Sequence, residues 1–186
     1  MAADTPAPRA ADAEFDPMQL FSGCHARIHE RMGMMRALAE MLDEGATPPA
    51  AASRLAETIL RFYESTVLAH HREEEHELWP MLERAGTDMD IETFKAIGKR
   101  LKDEHHQLEA LWDVITPELR RIGKGKAARI DPDKLSQLAQ AYDQHAEFED
   151  AVVIPMARFL LSPSELSRLN MSIALRRMPV GLRSYI

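Results

Sequence analysis

The sequence predicts an all-α protein: an up-down-up-down four-helix bundle with a short fifth helix at its C-terminal end. Three observations lead there. Apolar residues recur at steps of three and four through four long segments. The composition suits helices, with only 8 Gly among 186 residues and 6% aromatic residues. The connections between segments are short and contain Gly, Pro or Asp, which favours antiparallel neighbours.

Residues 1–15 (MAADTPAPRAADAEF) are rich in Ala, Pro and Asp, lack the apolar stretch of a signal peptide, and read as a disordered leader. The bundle is expected over residues 16–161. Asp16-Pro17 opens the first helix, which should run to Asp43 before Gly45 and Pro48-Pro49. Its inward stripe is Met18, Phe21, His25, Ile28, Met32, Met35, Ala39 and Leu42. The second helix should span residues 49–84, with Leu60, Tyr63, Val67, His70, Glu74, Leu78 and Met81 inward. A third, over residues 90–122, presents Phe94, Gly98, Leu101, His105, Leu108, Trp112, Ile115, Leu119 and Ile122. After the Gly123–Lys126 loop, Asp131-Pro132 starts the fourth, with Leu135, Leu138, Tyr142, His145, Glu149, Val152, Met156 and Phe159 inward. Pro80, Pro117 and Pro155 fall within helices and should bend them rather than end them. Residues 162–186 form a C-terminal helix and tail: Ser162-Pro163-Ser164-Glu165 combines an N-cap, a proline at the first helical position and a capping-box glutamate.

The net charge of −7 disfavours binding to a phosphate backbone, and Lys124, Lys126 and Arg129 are too few to make a basic patch, so no nucleic-acid partner is expected. No run of eighteen apolar residues exists, and no membrane span is expected. A single cysteine, Cys24, rules out an intramolecular disulfide and fits a reducing, cytoplasmic compartment.

The polar residues on the inward stripes carry the chemistry. His70-His-Arg-Glu-Glu74 followed by Pro80-Met81, and His145-Ala-Glu-Phe-Glu149 followed by Pro155-Met156, are one pattern written twice: in each, Glu lies 4 residues after His, Pro 10 and Met 11. An i, i+4 pair shares a helix face, so each copy points an imidazole and a carboxylate the same way. His25 and His105 add one imidazole each from helices one and three. A lone core histidine is more often a hydrogen-bonded filler than a ligand. Two carboxylates buried together would repel and lose several kcal/mol of hydration on the order expected for unpaired ions. No Lys or Arg lies on the stripes beside them, so a pair of dications is the natural counter-charge. The candidate ligands are His25, His70, Glu74, His105, His145 and Glu149.

A second register exists, because His71 and Glu75 are also four apart. Their face includes Glu64, Arg72 and Trp79, and His145, which has no adjacent histidine, sets the phase of the repeat; both facts favour His70. His29, His76 and His106 share their faces with polar residues and read as solvated, as does the Glu73–Glu77 run apart from Glu74. The methionines at helical spacing read as core filler, and Cys24 as a thiol beside the seam. Tyr142, one turn before His145, could reach a bound ligand, although a buried tyrosine is more often satisfied elsewhere.

At these residues the chain resembles the hemerythrin-like (HHE cation-binding) family, whose four-helix bundles hold a non-haem di-iron centre. The motifs are Cys24-His25, His70-His71 to Pro80, Glu104-His105 to Trp112, and His145 to Pro155, and the likeness covers residues 17–161. It implies the same six ligands, and two iron ions with an oxo or hydroxo bridge. Oxygen-carrying hemerythrins have two histidines four apart on helix three and an aspartate five residues after the last histidine. Here Glu109 stands four after His105, and the last motif uses Glu149. With four His and two Glu the set is similar to the catalytic domain of the repair-of-iron-centres proteins, although their separate cysteine-containing N-terminal domain has no counterpart in the short leader.

Imidazole and carboxylate suit Fe, and equally Mn or Zn. Bridging carboxylates would leave open positions for O2, NO or peroxide. Two classes of function follow. One is a binding module that captures O2 or NO for sensing, transfer or buffering; the other is an enzyme that reduces NO or peroxide or repairs iron–sulfur centres. No general base, nucleophile or protein partner is legible apart from the metals.

Overall fold

A computed structural model describes residues 17–86 and 90–177. The expected leader and the end of the tail, residues 178–186, lie outside the described residues. Five helices follow one another: α1 (Pro17–Glu40), α2 (residues 50–85), α3 (Ile91–Gly123), α4 (residues 132–160) and α5 (Pro163–Arg177). Contacts run from α1 to α2, α2 to α3, α3 to α4 and α4 back to α1, closing the four-helix ring, and α5 packs on α1.

The helix starts follow the local chemistry. Asp90 accepts from the backbone N–H of Thr93, and Asp131 from those of Asp133 and Lys134, so each caps orphan donors. The α5 capping box is complete: the Ser162 backbone N–H donates to Glu165 (2.8 Å), and the Glu165 N–H to Ser162 Oγ (3.3 Å). α3 ends into Lys124 and Gly125, whose φ of +67° is the left-handed conformation that favours glycine.

Helices α2 and α4 are not α-helical throughout. Tyr63–Val67 and Glu74–Leu78 in α2, and Glu149–Val153 in α4, are π-turns. The backbone N–H of Trp79 donates to the Glu74 carbonyl, and that of Ile154 to the Glu149 carbonyl, each five residues back. Pro80 and Pro155 come immediately after these donors. The wide turn accommodates a residue that has no N–H and crowds the carbonyl four positions earlier. Pro117, by contrast, lies inside an unbroken α3.

Past the π-turns that begin at Glu74 and Glu149 the inward stripe moves on by one residue, whereas past Tyr63–Val67 His70, Glu74 and Leu78 stay buried as expected. Leu82 is fully buried where Met81 was expected, and Val153 replaces Val152. Phe159, expected inward, is 87% exposed, while Leu160 packs against the core. The α3 stripe is buried at every expected position. At the end of α1, Leu38 is buried, and Ala39, expected inward, is only partly covered, as is Leu42 beyond it.

The core is split. One apolar cluster holds Ile28, Met32, Ile59, Trp112, Leu119 and Leu138; the other holds Phe21, Leu78, Trp79, Leu101, Phe148 and Ile173. Between them lies a layer of buried histidine and glutamate.

Candidate metal centre

α1 supplies His25 to this layer, α2 supplies His70, His71 and Glu74, α3 supplies His105, and α4 supplies His145 and Glu149. All six residues expected from the sequence are brought together. His25 is 7% exposed, and the other five are no more than 2% exposed. Within each repeat the i, i+4 pair is in contact: His70 Nε2 to Glu74 at 3.1 Å, and His145 Nε2 to Glu149 at 3.3 Å. The single histidines join them, with His25 Nε2 2.8 Å from Glu149, and His105 Nε2 3.2 Å from Glu74 and 3.6 Å from Glu149.

His71 belongs to the layer as well. It is 1% exposed and stacks on His105 with ring centroids 4.1 Å apart. The inward arc of a bundle helix spans 100° or more, so two successive residues can straddle its seam. His70 turns towards His25 (centroids 5.2 Å) and His71 towards His105. Both registers thus bring a histidine into the buried layer, His70 and His71. Three sets of donor atoms lie within 4.8 Å of one another: His71, His105 and His145; His25, His70, Glu74 and Glu149; and Glu74, His105, His145 and Glu149.

An outer ring of carboxylates orients the imidazoles. The Nδ1–H of His71 donates to Glu109 (3.1 Å), that of His105 to Glu75 (2.7 Å), that of His145 to Glu104 (3.1 Å) and that of His25 to Asp150 (3.3 Å). A carboxylate can only accept, so each fixes a proton on Nδ1 and turns Nε2 inward. Glu104 is itself held by Arg100 Nε (2.7 Å). Many inward atoms have no hydrogen-bond partner: Nδ1 and Nε2 of His70, Nε2 of His71, His105 and His145, both oxygens of Glu74, and Glu149 Oε1. So many orphaned buried donors and acceptors on one layer fit a cation set and are costly without one.

Residues 16–157 match the hemerythrin HHE cation binding domain. The chain belongs to that family. No curated protein matches it. The hemerythrin fold thus supplies a cation-binding layer of His and Glu groups able to hold a metal ion. The position five residues after His145 is Asp150, whose side chain is 48% exposed and sits outside His25, whereas Glu149 is buried.

Protonation in this hemerythrin layer is uneven. Burial and the charge of Glu149 push Glu74 up to about 8. Burial also opposes ionisation of Glu149, but the charge of His145, the nearby His105 imidazole and the hydrogen bond with His25 outweigh it and hold Glu149 well below the usual range. Burial lowers His70, and lowers His71 to about 4 despite Glu109. For His105, burial is overcome by Glu149, Glu74 and Glu75, which raise it to about 11; His25 is raised in the same way, chiefly by Glu149. In the metal-free layer, protons therefore stand where cations would.

Sequence reasoning missed His71, Glu73 and the outer ring. Glu73 is 3% exposed rather than solvated, and Trp79, placed on the polar face, is buried with Nε1 donating to Glu83 (2.9 Å). The signal for the outer ring was adjacency: Glu75, Glu104 and Asp150 each neighbour a candidate ligand in sequence. His29, His76 and His106 are exposed, as expected. Tyr142 is buried and its hydroxyl accepts from Trp112 Nε1 at 2.7 Å. Among the described residues no helix is long and apolar enough to cross a membrane.

Proposed function

We propose that the protein is a non-haem di-iron protein that binds O2 or NO for sensing, transfer or buffering. One metal would take His71, His105 and His145, the other His25 and His70, with Glu74 and Glu149 shared between them. The observation that supports this reading is the set of unpartnered, buried Nε2 and carboxylate atoms facing one another. Four of the imidazoles have their other nitrogen fixed by a carboxylate, the arrangement that makes a histidine a well-oriented and more basic ligand. Imidazole-rich sites accept Mn or Zn too, so iron rests on the family rather than on the donors.

The fifth histidine argues against the symmetric four-His, two-Glu arrangement of the repair-of-iron-centres type. Three imidazoles would hold one ion and two the other, so the ion held by His25 and His70 would have fewer protein ligands. When bound, iron supplies reversible coordination of a diatomic ligand there. The chain's own residues keep the site dry and fix the imidazole tautomers, and Glu74 gives up its proton when a cation replaces it. Reduction of NO or peroxide would need a proton donor at that ion. The Tyr142 hydroxyl accepts from Trp112 Nε1 and keeps its own proton beside the cavity at His25, so Tyr142 is the residue such an enzyme would draw on. The test is absorbance of anaerobically reduced, iron-loaded protein after adding O2 or NO. A stable adduct that is lost on degassing supports the binding module; repeated turnover of NO or peroxide overturns it in favour of the enzyme.

A further inference from the structure

Metal ions have to reach a layer in which all groups but one are no more than 2% exposed. The exception is His25, which forms the inner end of a cavity of about 310 Å³ between α1 and α4. Along its walls lie Ser22, His29, Asp143 and Asp150. Asp150 joins outside to inside: half exposed, it accepts from Ser22 Oγ (3.0 Å) and from His25 Nδ1 (3.3 Å). Further out, His29 Nδ1 pairs with Asp143 (3.3 Å), and both side chains are well exposed.

Three other grooves among the described residues mix arginine with acid: Arg72 and Arg176 with Glu73, Arg72 and Arg120 with Glu64, Glu109 and Asp113, and Arg84 and Arg168 with Glu77 and Glu165. The cavity at His25 has two aspartates, two histidines and no lysine or arginine. It also exists for a reason legible in the repeat. The residue after His70 is His71, which fills its side of the layer by stacking on His105; the residue after His145 is Ala146, whose small side chain lines the cavity. Next to His25 is fully buried His70, whose Nδ1 has no hydrogen-bond partner and whose Nε2 lies 3.1 Å from Glu74.

We propose that this cavity is a docking site for a hydrated divalent cation and the route by which the buried layer is loaded. His29, Asp143 and Asp150 hold the incoming ion, and His25 passes it inward. The inference rests on the metal-centre reading above, and deepens it. Carboxylates at the mouth of a low-dielectric cleft concentrate cations and raise their rate of arrival, whereas in the other grooves guanidinium groups offset the field of the acids beside them.

The experiment is stopped-flow uptake of Co2+ by metal-free protein, read by the visible absorption of the bound ion, with final stoichiometry from metal analysis. Two variants perturb the route without touching the buried layer: H29Q/D143N removes the outer donors, and Ala146→Leu narrows the cavity. E64Q/D113N, in the groove lined by Arg72 and Arg120, is the control. Uptake should be roughly tenfold slower in H29Q/D143N, in line with lost steering, and slowed in Ala146→Leu, with the final stoichiometry of the parent in both. The control should load at the parent rate. Parent-like rates in both route variants, or equal slowing in the control, would overturn the route. Absence of cobalt uptake by the parent protein would overturn the metal-centre reading itself, and the route with it.

Discussion

The two copies of the His-Glu-Pro-Met motif have the same local structure and opposite electrostatics. In each, the histidine contacts the glutamate one turn later, the glutamate opens a π-turn, and a proline follows the residue whose N–H closes that turn. Yet Glu149 is held ionised while Glu74 is pushed up to about 8. The cause lies outside the copies. His25 comes within 2.8 Å of Glu149, and His105 contacts both glutamates, so the second copy gathers more imidazole donors. Once one carboxylate is charged, its field disfavours ionisation of the other. A local motif sets which way a side chain points; the helices packed against it set its charge.

Glu74→Ala or Glu149→Ala should break the comparison most completely. Each glutamate faces both sets of imidazoles, so either substitution should remove most of the bound metal, whereas Glu147→Ala, on the exposed face, should leave the content unchanged. Metal analysis of the purified variants checks this. Loss from only one of the two would mean that the copies differ in role as well as in charge.

A smaller effect is expected for His71→Ala, which touches the feature present in one copy and absent from the other. It should lose about half the metal and retain the ion next to His25 and His70. A full complement in this variant would show that His71 is a stacking partner of His105 and not a ligand.

The pH dependence of the metal-free fold is subtler. Between the ordinary carboxyl and imidazole values, 4.5 and 6.5, the unfolded chain protonates His70 and His71, while the folded chain keeps a proton on Glu74. Two protons against one favour the unfolded state in acid, so stability rises with pH in this window. Above 6.5 the sign reverses. Folded protein retains protons on Glu74 up to about 8, on His105 up to about 11, and on His25, which the unfolded chain has released. Stability of the metal-free protein should therefore peak near neutrality and fall on the alkaline side. Metal binding needs deprotonated ligands and strengthens with pH, so the loaded protein should lack that alkaline decline up to pH 8. Thermal melts from pH 5 to 9 with and without chelator check both curves; a decline of equal slope in the two would remove Glu74 as the group responsible.

The fold and six of the layer's residues were legible because α1 and α3 keep α-helical periodicity, and because the repeat sets the phase of α2 and α4 up to their glutamates. Past the π-turns at Glu74–Leu78 and Glu149–Val153 the stripe moves on by one residue, to Leu82 in place of Met81 and Leu160 in place of Phe159, although Leu78 and Met156 are buried as expected; a π-turn has no distinctive apolar pattern. The proline six residues after each glutamate was its visible trace. His71 was missed for a different reason: a stripe one residue wide was assumed, where a bundle interior is wide enough for two neighbours. The outer carboxylates look like solvated charge in sequence, and only the packing of α2 against α3, and of α1 and α3 against α4, brings them onto Nδ1 atoms.

Under the proposed function, this layer holds two metal ions rather than a buried hydrogen-bond network. Titration of metal-free protein with Fe2+ under anaerobic conditions, with unfolding followed at each step, tests it most directly. Saturation is expected at two equivalents, with a melting temperature that climbs with loading. The gain should be about 4 kcal/mol at a thousandfold excess over Kd. No saturable binding, or melting unchanged by metal at neutral pH, would contradict it and leave the layer as polar packing.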